Sequence, residues 1–216
     1  MKRKGLFIIG TDTDVGKTYI TQQIIIQLQA NALPIKVRKP IESGCEKQTD
    51  GTLQPADGTA LWQANNKNES LDNVTPFRFE PAIAPNRAAQ LVGKKISTEQ
   101  LKQACLKDID DNDFLIVEGA GGLYSPLCDD GLNIDLAKAL DLDVILVVKD
   151  KLGCINHTLL TLNALSQAKL NCKLIILNQC SDATINTYDH LNEIQQLTDI
   201  PIKSCLINGV LSGVLE

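Results

Sequence analysis

One segment constrains this chain more than any other: Gly10-Thr11-Asp12-Thr13-Asp14-Val15-Gly16-Lys17-Thr18. It lies between an apolar run, Leu6-Phe7-Ile8-Ile9, and a helix-like stretch that begins at Tyr19. Strand, glycine-bounded loop, Lys-Thr and helix is the layout of a phosphate cradle. Backbone N–H groups of the loop and the helix N-terminus face the anion, and the helix dipole favours its charge. A lysine at position 17 reaches the terminal phosphate oxygens, and a threonine hydroxyl at 18 can ligate Mg²⁺. The usual pattern has four residues between its two glycines. Five separate Gly10 from Gly16, because Thr11 stands where the first glycine would be.

Around this loop, short β-rich apolar runs alternate with helical patterns. Strands are expected at 6–10, 35–39, 113–118, 143–149, 172–178 and 200–206, and helices at 17–31, 56–65, 97–109, 132–140, 156–168 and 184–197. Asp143-Val144-Ile145-Leu146-Val147-Val148 is almost continuously apolar, as a strand covered on both faces should be. Ser97 three residues before Gln100 reads as a capping box. The alternation implies an α/β fold: a doubly wound, mostly parallel sheet flanked by helices, P-loop NTPase-like, in a single domain over 1–216. Ligands of such sheets bind beyond the carboxyl ends of the strands. Gly10, Lys39, Glu118 and Asn178 all fall at expected strand ends. The Gly119-Ala120-Gly121-Gly122 stretch reads as a flexible turn.

Composition removes some function classes. The net charge of −5 does not favour a nucleic-acid partner. No apolar stretch is long enough to span a bilayer, and Met1-Lys2-Arg3-Lys4-Gly5 reads as a solvated lead into the first strand rather than a signal peptide. The seven cysteines include no Cys-x-x-Cys pair and the two histidines, His157 and His190, are far apart, so no zinc cluster is expected and a reducing cytoplasm is.

The loop string GTDTDVGKT resembles the phosphate loop of the dethiobiotin synthetases. Three further segments are similar to that family's motifs: Arg38-Lys39-Pro40-Ile41-Glu42-Ser43-Gly44, Val117-Glu118-Gly119-Ala120-Gly121-Gly122, and Lys151-Leu152-Gly153-Cys154-Ile155-Asn156-His157. The resemblance implies a cyclo-ligase that uses ATP and Mg²⁺. In that reaction 7,8-diaminononanoate takes up CO₂ as a carbamate, ATP phosphorylates the carbamate, and the second amine displaces phosphate to close a cyclic urea.

It also implies roles for particular residues. Lys17 and Lys39 would be catalytic, holding two anions that repel each other in water. Thr13, Asp14, Val15, Gly16, Lys17, Thr18, Asp57, Glu118, Gly119, Ala120, Gly121 and Asn178 would bind nucleotide. Thr18, Asp57 and Glu118 would hold Mg²⁺, a cation that takes hard oxygens and keeps several waters. Thr13, Lys39, Ser43, Gly121, Gly153, Cys154 and Asn156 would contact substrate, the last three from the second subunit of a homodimer. Read from the residues alone, the alternatives are a helix N-cap at the start of 58–65 for Asp57, a solvated strand-end carboxylate for Glu118 and a surface strand-end lysine for Lys39. Asn178-Gln179-Cys180-Ser181 lacks the Lys and spaced Asp of a guanine-binding pattern. Ile207-Asn208-Gly209-Val210-Leu211 is the expected base-binding region. The competing readings are a related P-loop amide-forming ligase on another amine or acid, and a nucleotide-switch ATPase.

Overall fold

Alternate residues of the first strand face opposite sides of a sheet that is covered on both faces. Leu6 and Ile8 belong to one apolar cluster, and Phe7 and Ile9 to the other; all four are essentially inaccessible to solvent. This period of two is the geometry of a pleated strand, and burial on both sides explains why the run carries no polar residue.

The structure, a computed structural model, describes residues 3–180, 189–206, 209 and 211. In chain order its elements are β1 (Gly5–Gly10), α1 (Lys17–Ala30), β2 (Ile35–Arg38), β3 (Ile41–Ser43), β4 (Glu46–Lys47), β5 (Leu53–Gln54), α2 (Ala56–Ala64), α3 (Leu71–Val74), β6 (Phe77–Phe79), α4 (Pro85–Leu91), α5 (Thr98–Leu106), β7 (Phe114–Gly122), β8 (Pro126–Cys128), β9 (Gly131–Leu132), α6 (Asn133–Leu140), β10 (Asp143–Lys149), α7 (Cys154–Gln167), β11 (Cys172–Asn178), α8 (His190–Gln195) and β12 (Ile202–Cys205).

Six strands form one parallel sheet in the order β12-β11-β10-β1-β7-β2. The chain moves from β1 outward to β2, returns to fill the β7 position, then crosses to β10 on the other side of β1. That reversal beside β1 is the switch point at which open α/β sheets bind ligands, and the phosphate loop leaves β1 there. On one face α1 packs Ile20, Ile24, Ile25 and Leu28 against the sheet with Leu61 of α2; on the other lie Leu101 of α5, Leu136 of α6 and Leu165 of α7. The capping box at α5 is present: Gln100 N–H donates to Ser97 Oγ at 3.2 Å, and Ser97 N–H to Gln100 Oε1 at 2.8 Å.

All six expected strands form. Four short strands between 41 and 79 were not expected from the sequence, among them the parallel pair β3–β6 (Ile41↔Phe77, Glu42↔Arg78, Ser43↔Phe79). Two or three residues carry too little periodicity to be seen without their partner. The expected helix 184–197 is observed as α8; residues 184–188 lie outside the described part, as does most of 207–211.

The Gly119–Gly122 stretch is not a turn. It is the bulged end of β7, where Ile8 pairs with Glu118 but Gly10 with Gly122, so Glu118 sits inside the strand rather than at its end. Asn133 secures the bulge. Its Oδ1 accepts from Ala120 N–H at 3.1 Å, and its Nδ2 donates to the carbonyls of Ala120 and Gly122 at 2.6 and 2.9 Å.

All seven cysteines are unpaired. The fold does bring Asp150, Cys154 and His190 together, all buried and with donor atoms within 4.8 Å of one another, although sequence distance argued against any such cluster. His190 Nδ1 and Asp150 Oδ1 satisfy each other at 2.7 Å, so the contact ties the start of α8 to the segment before α7. Among the described residues no helix is long and apolar enough to cross a membrane.

The end of β2 is fixed by a buried charge. Arg38, fully inaccessible, pairs with Glu69 and donates to the Lys107 carbonyl at 2.7 Å. Removing one partner of a buried ion pair strands the other in a low-dielectric interior. Glu69→Ala should therefore lower the unfolding free energy by about 3–5 kcal/mol in denaturant titrations; a loss under about 1 kcal/mol, the range of a surface pair, would refute this.

Candidate active site

The phosphate loop turns on two residues with positive φ, Asp14 (55°) and Gly16 (88°). Gly16 has a second reason to be glycine. A Cβ there would lie 2.1 Å from Asn178 Nδ2, which reaches under the loop and donates to the Val15 carbonyl at 2.9 Å. The loop is thus braced from below by the end of β11. Thr11 N–H donates to Val147 O at 3.0 Å, anchoring its start to β10.

Above the loop lies a cavity of about 640 Å³. It is lined by Thr13, Asp14, Gly16, Lys17, Thr18, Lys39, Ser43, Asp57, Ala120 and Gly121, all expected from sequence. Glu118 stands behind its floor, fully buried. Its Oε1 accepts from Lys39 Nζ at 2.7 Å and Thr18 Oγ1 at 2.9 Å, and its Oε2 accepts from Thr21 Oγ1 at 2.7 Å. Lys39 Nζ also contacts Asp57 Oδ2 at 2.9 Å and donates to Gly119 O at 3.1 Å. One ammonium therefore bridges two carboxylates. Burial would lower the Lys39 pKa, but Glu118 and Asp57 outweigh it and hold the lysine above its ordinary value. Asp57 shows the converse: burial would raise it, yet Lys39, Thr18 and Lys17 hold it below the ordinary aspartate value.

Three of the sequence alternatives are settled by this geometry. Lys39 is 2% exposed and is no surface lysine; Glu118 is not solvated. Asp57 is not a helix N-cap but the second residue of α2, with Pro55 at the cap position. The hard oxygens of Thr18, Asp57 and Glu118 converge around a positive charge, a donor set that suits Mg²⁺.

Lys17 is nearly as buried, at 7%, and its Nζ donates to the Asp12 carbonyl at 3.0 Å. Burial and the nearby Lys39 charge lower its pKa to about 8. Two lysines close enough to disfavour each other's charge form a site that calls for anions.

Other expected residues stand elsewhere. Val15 and Gly119 support the cavity through backbone carbonyls without lining it. Asn178 is 3% exposed and its Nδ2 is spent on the loop. Gly153, Cys154 and Asn156 do not line the cavity. Gly153, not Asn156, is the N-cap of α7, with φ 91°, and the Cys154 side chain is 1% exposed, its thiol pKa raised by burial.

Sequence reasoning missed Glu42 as a lining residue, the wall of Ala82, Ile83, Ala84 and Pro85, and Ser125 with Pro126. It also missed Thr21, whose hydroxyl donates on to Glu118 and lies within hydrogen-bond distance, 2.8 Å, of the Lys17 carbonyl. Thr21 follows Lys17 by one helical turn, a spacing that could have marked it; nothing local marks the wall.

A family described as an AAA domain matches residues 4–208. The chain is 41% identical over 199 residues to the ATP-dependent dethiobiotin synthetase of Ruthia magnifica, covering 92% of this chain and 89% of that protein. It is 36% identical over 223 residues to the enzyme of the same name from Thermodesulfovibrio yellowstonii, covering 99% and 90%. Among solved structures, the cell division protein ftsY of Thermotoga maritima superposes with a TM-score of 0.50 at 14% identity, over 95% of this chain. The chain spans 62% of that structure's length, and the likeness is one of fold.

The lowered Lys17 pKa has a measurable sign. Between about 8 and 10.5 the unfolded chain holds this proton and the folded, ligand-free protein does not, so stability should rise with pH across that window. Binding of a nucleoside triphosphate restores the proton. Calorimetry in buffers of different ionisation enthalpy should show proton uptake and weakening affinity as pH passes 8, both lost in Lys17→Met. A flat proton balance from neutral pH to about 9.5 would overturn this.

Proposed function

The chain belongs to the ATP-dependent dethiobiotin synthetase family, and we propose that the cavity above its phosphate loop is where the cyclic urea is closed. The observation that carries this reading is the Lys39 ammonium, held between Glu118 and Asp57 beside the phosphate-binding Lys17. A simple hydrolase needs one anion neutralised. Phosphorylation of a carbamate brings two together, and a second buried cation answers that requirement.

The chemistry divides as follows. One amine of the diamine adds to CO₂ and loses a proton, giving a carbamate. A carbamate oxygen attacks the γ-phosphorus of ATP, ADP leaves, and a carbamic-phosphoric anhydride remains. The second amine attacks the carbonyl carbon and expels phosphate. Lys17 and the loop N–H groups bind the phosphates. Lys39 draws the carbamate towards the γ-phosphate and offsets charge that develops during transfer, a positioning and electrostatic effect. Thr13, Ser43 and Gly121 line the cavity and would contact the substrate. The Ala82–Pro85 wall and Pro126 offer apolar surface to its methylene chain.

Thr18, Asp57 and Glu118 would hold Mg²⁺, which when bound neutralises phosphate charge. Thr21 keeps Glu118 oriented, and Asn178 keeps the loop in place. Gly153 and Asn156, exposed and away from this cavity, would serve the second copy of a homodimer. The neighbouring Leu152, Leu160 and Tyr124, at 87%, 62% and 58% exposure, give that surface an apolar character. Light scattering should then return twice the chain mass; a monomer at working concentration would refute the shared site. Free thiols throughout are in keeping with a cytoplasmic enzyme.

Phosphate release by purified protein with ATP, Mg²⁺ and bicarbonate should depend on the diamine; diamine-independent release would refute the reading. Lys39→Ala should lower kcat by about 10²–10³-fold while nucleotide affinity changes by less than about threefold, because its proposed role is with the transferred group. Equal losses in both would remove Lys39 from that role.

A further inference from the structure

We propose that Glu42 is a positioning residue: its carboxylate caps α2 from outside the helix and thereby frees the Asp57 side chain for the metal and Lys39. The helix begins with an unmet need. Its first N–H groups have no intrahelical acceptor, and the residue at the cap position, Pro55, has no side-chain acceptor to offer. Glu42 supplies both acceptors from the preceding β3 strand. Asp57 N–H donates to its Oε1 and Gly58 N–H to its Oε2, each at 2.9 Å.

The arrangement is tightly placed. Glu42 is 6% exposed, and pairing of β3 with β6 fixes its register opposite Arg78. A carboxylate held at a helix N-terminus also meets the positive end of the dipole. Burial raises the Glu42 pKa, and the nearby Asp57 charge adds to this, while Lys39 and the two N–H groups oppose it.

The consequence falls on Asp57. An aspartate in the first turn of a helix ordinarily competes for its own backbone N–H groups. With those N–H groups occupied by Glu42, the Asp57 carboxylate turns away from the helix and reaches Lys39 at 2.9 Å. A glutamine at 42 could not replace the glutamate, since its amide presents N–H where a second acceptor is needed.

This inference rests on the reading of Asp57 as a metal ligand, and the experiment separates the two. Mn²⁺ is titrated by calorimetry into the full-length protein saturated with a non-hydrolysable ATP analogue, for wild type, Asp57→Asn, Glu42→Gln and the double variant. Asp57→Asn should weaken Mn²⁺ binding by about tenfold, and Glu42→Gln by about fivefold, the size of a lost cap. The double variant should bind within about twofold of Asp57→Asn, because the two act through one carboxylate. Glu42→Asp, which keeps the charge and shortens its reach, should fall between wild type and Gln, and serves if the Gln variant does not fold. Wild-type Mn²⁺ binding in Glu42→Gln, or losses that multiply in the double variant, would overturn the proposal alone. Unchanged binding in Asp57→Asn would overturn the metal-ligand reading and this proposal with it.

Discussion

The ion pair between Lys39 and Glu118 is the constraint on which the rest of the site depends. Glu118 is fully inaccessible, in the middle of a strand flanked on both sides by other strands. A carboxylate there is costly unless every oxygen is met. Its Oε1 takes Lys39 and Thr18, and its Oε2 takes Thr21. This satisfaction draws together α1, β7 and the residue that follows β2. It also means that the lysine, the threonine of the phosphate loop and the carboxylate cannot shift independently of one another.

Around that pair the protein builds a site of alternating charge. Lys39 joins Glu118 to Asp57, and Glu42 stands behind Asp57 at the start of α2. The short segment from 38 to 43 supplies four of the groups involved. Arg38 anchors the strand end through Glu69, Lys39 enters the cavity, Glu42 caps the helix and Ser43 lines the wall. Pro40 fixes the direction in which this segment leaves β2. The pKa of Lys17, lowered by burial and by Lys39, rises again when an anion arrives. Charge that is mutually disfavoured in the free protein becomes favourable once phosphate oxygens arrive.

Legibility of the site followed the physics of each residue. The phosphate loop was readable because strand, loop and helix are contiguous, so spacing alone fixes geometry. Lys39, Ser43 and Glu118 were readable through motif resemblance, since nothing in their local pattern distinguishes a surface lysine or a solvated carboxylate from a buried one. Glu42 and Asn133 were not readable in their roles. Each satisfies backbone groups 11–16 residues away, and such contacts leave no periodic trace. The bulge in β7 was mistaken for a turn because glycines mark both, and only the pairing of Gly10 with Gly122 distinguishes them.

The sequence by itself determined the strands, the main helices, the phosphate loop and the family, because local periodicity and contiguous motifs carry those. Tertiary structure decided which charges are buried and whom they meet. It made Lys39 a bridge, placed Glu118 within a strand, turned Asn178 into a brace for the loop and took the capping role from Asp57. The reason is that the energy of a buried charge depends on its partners in space, and those partners come from segments whose order along the chain gives no measure of their distance.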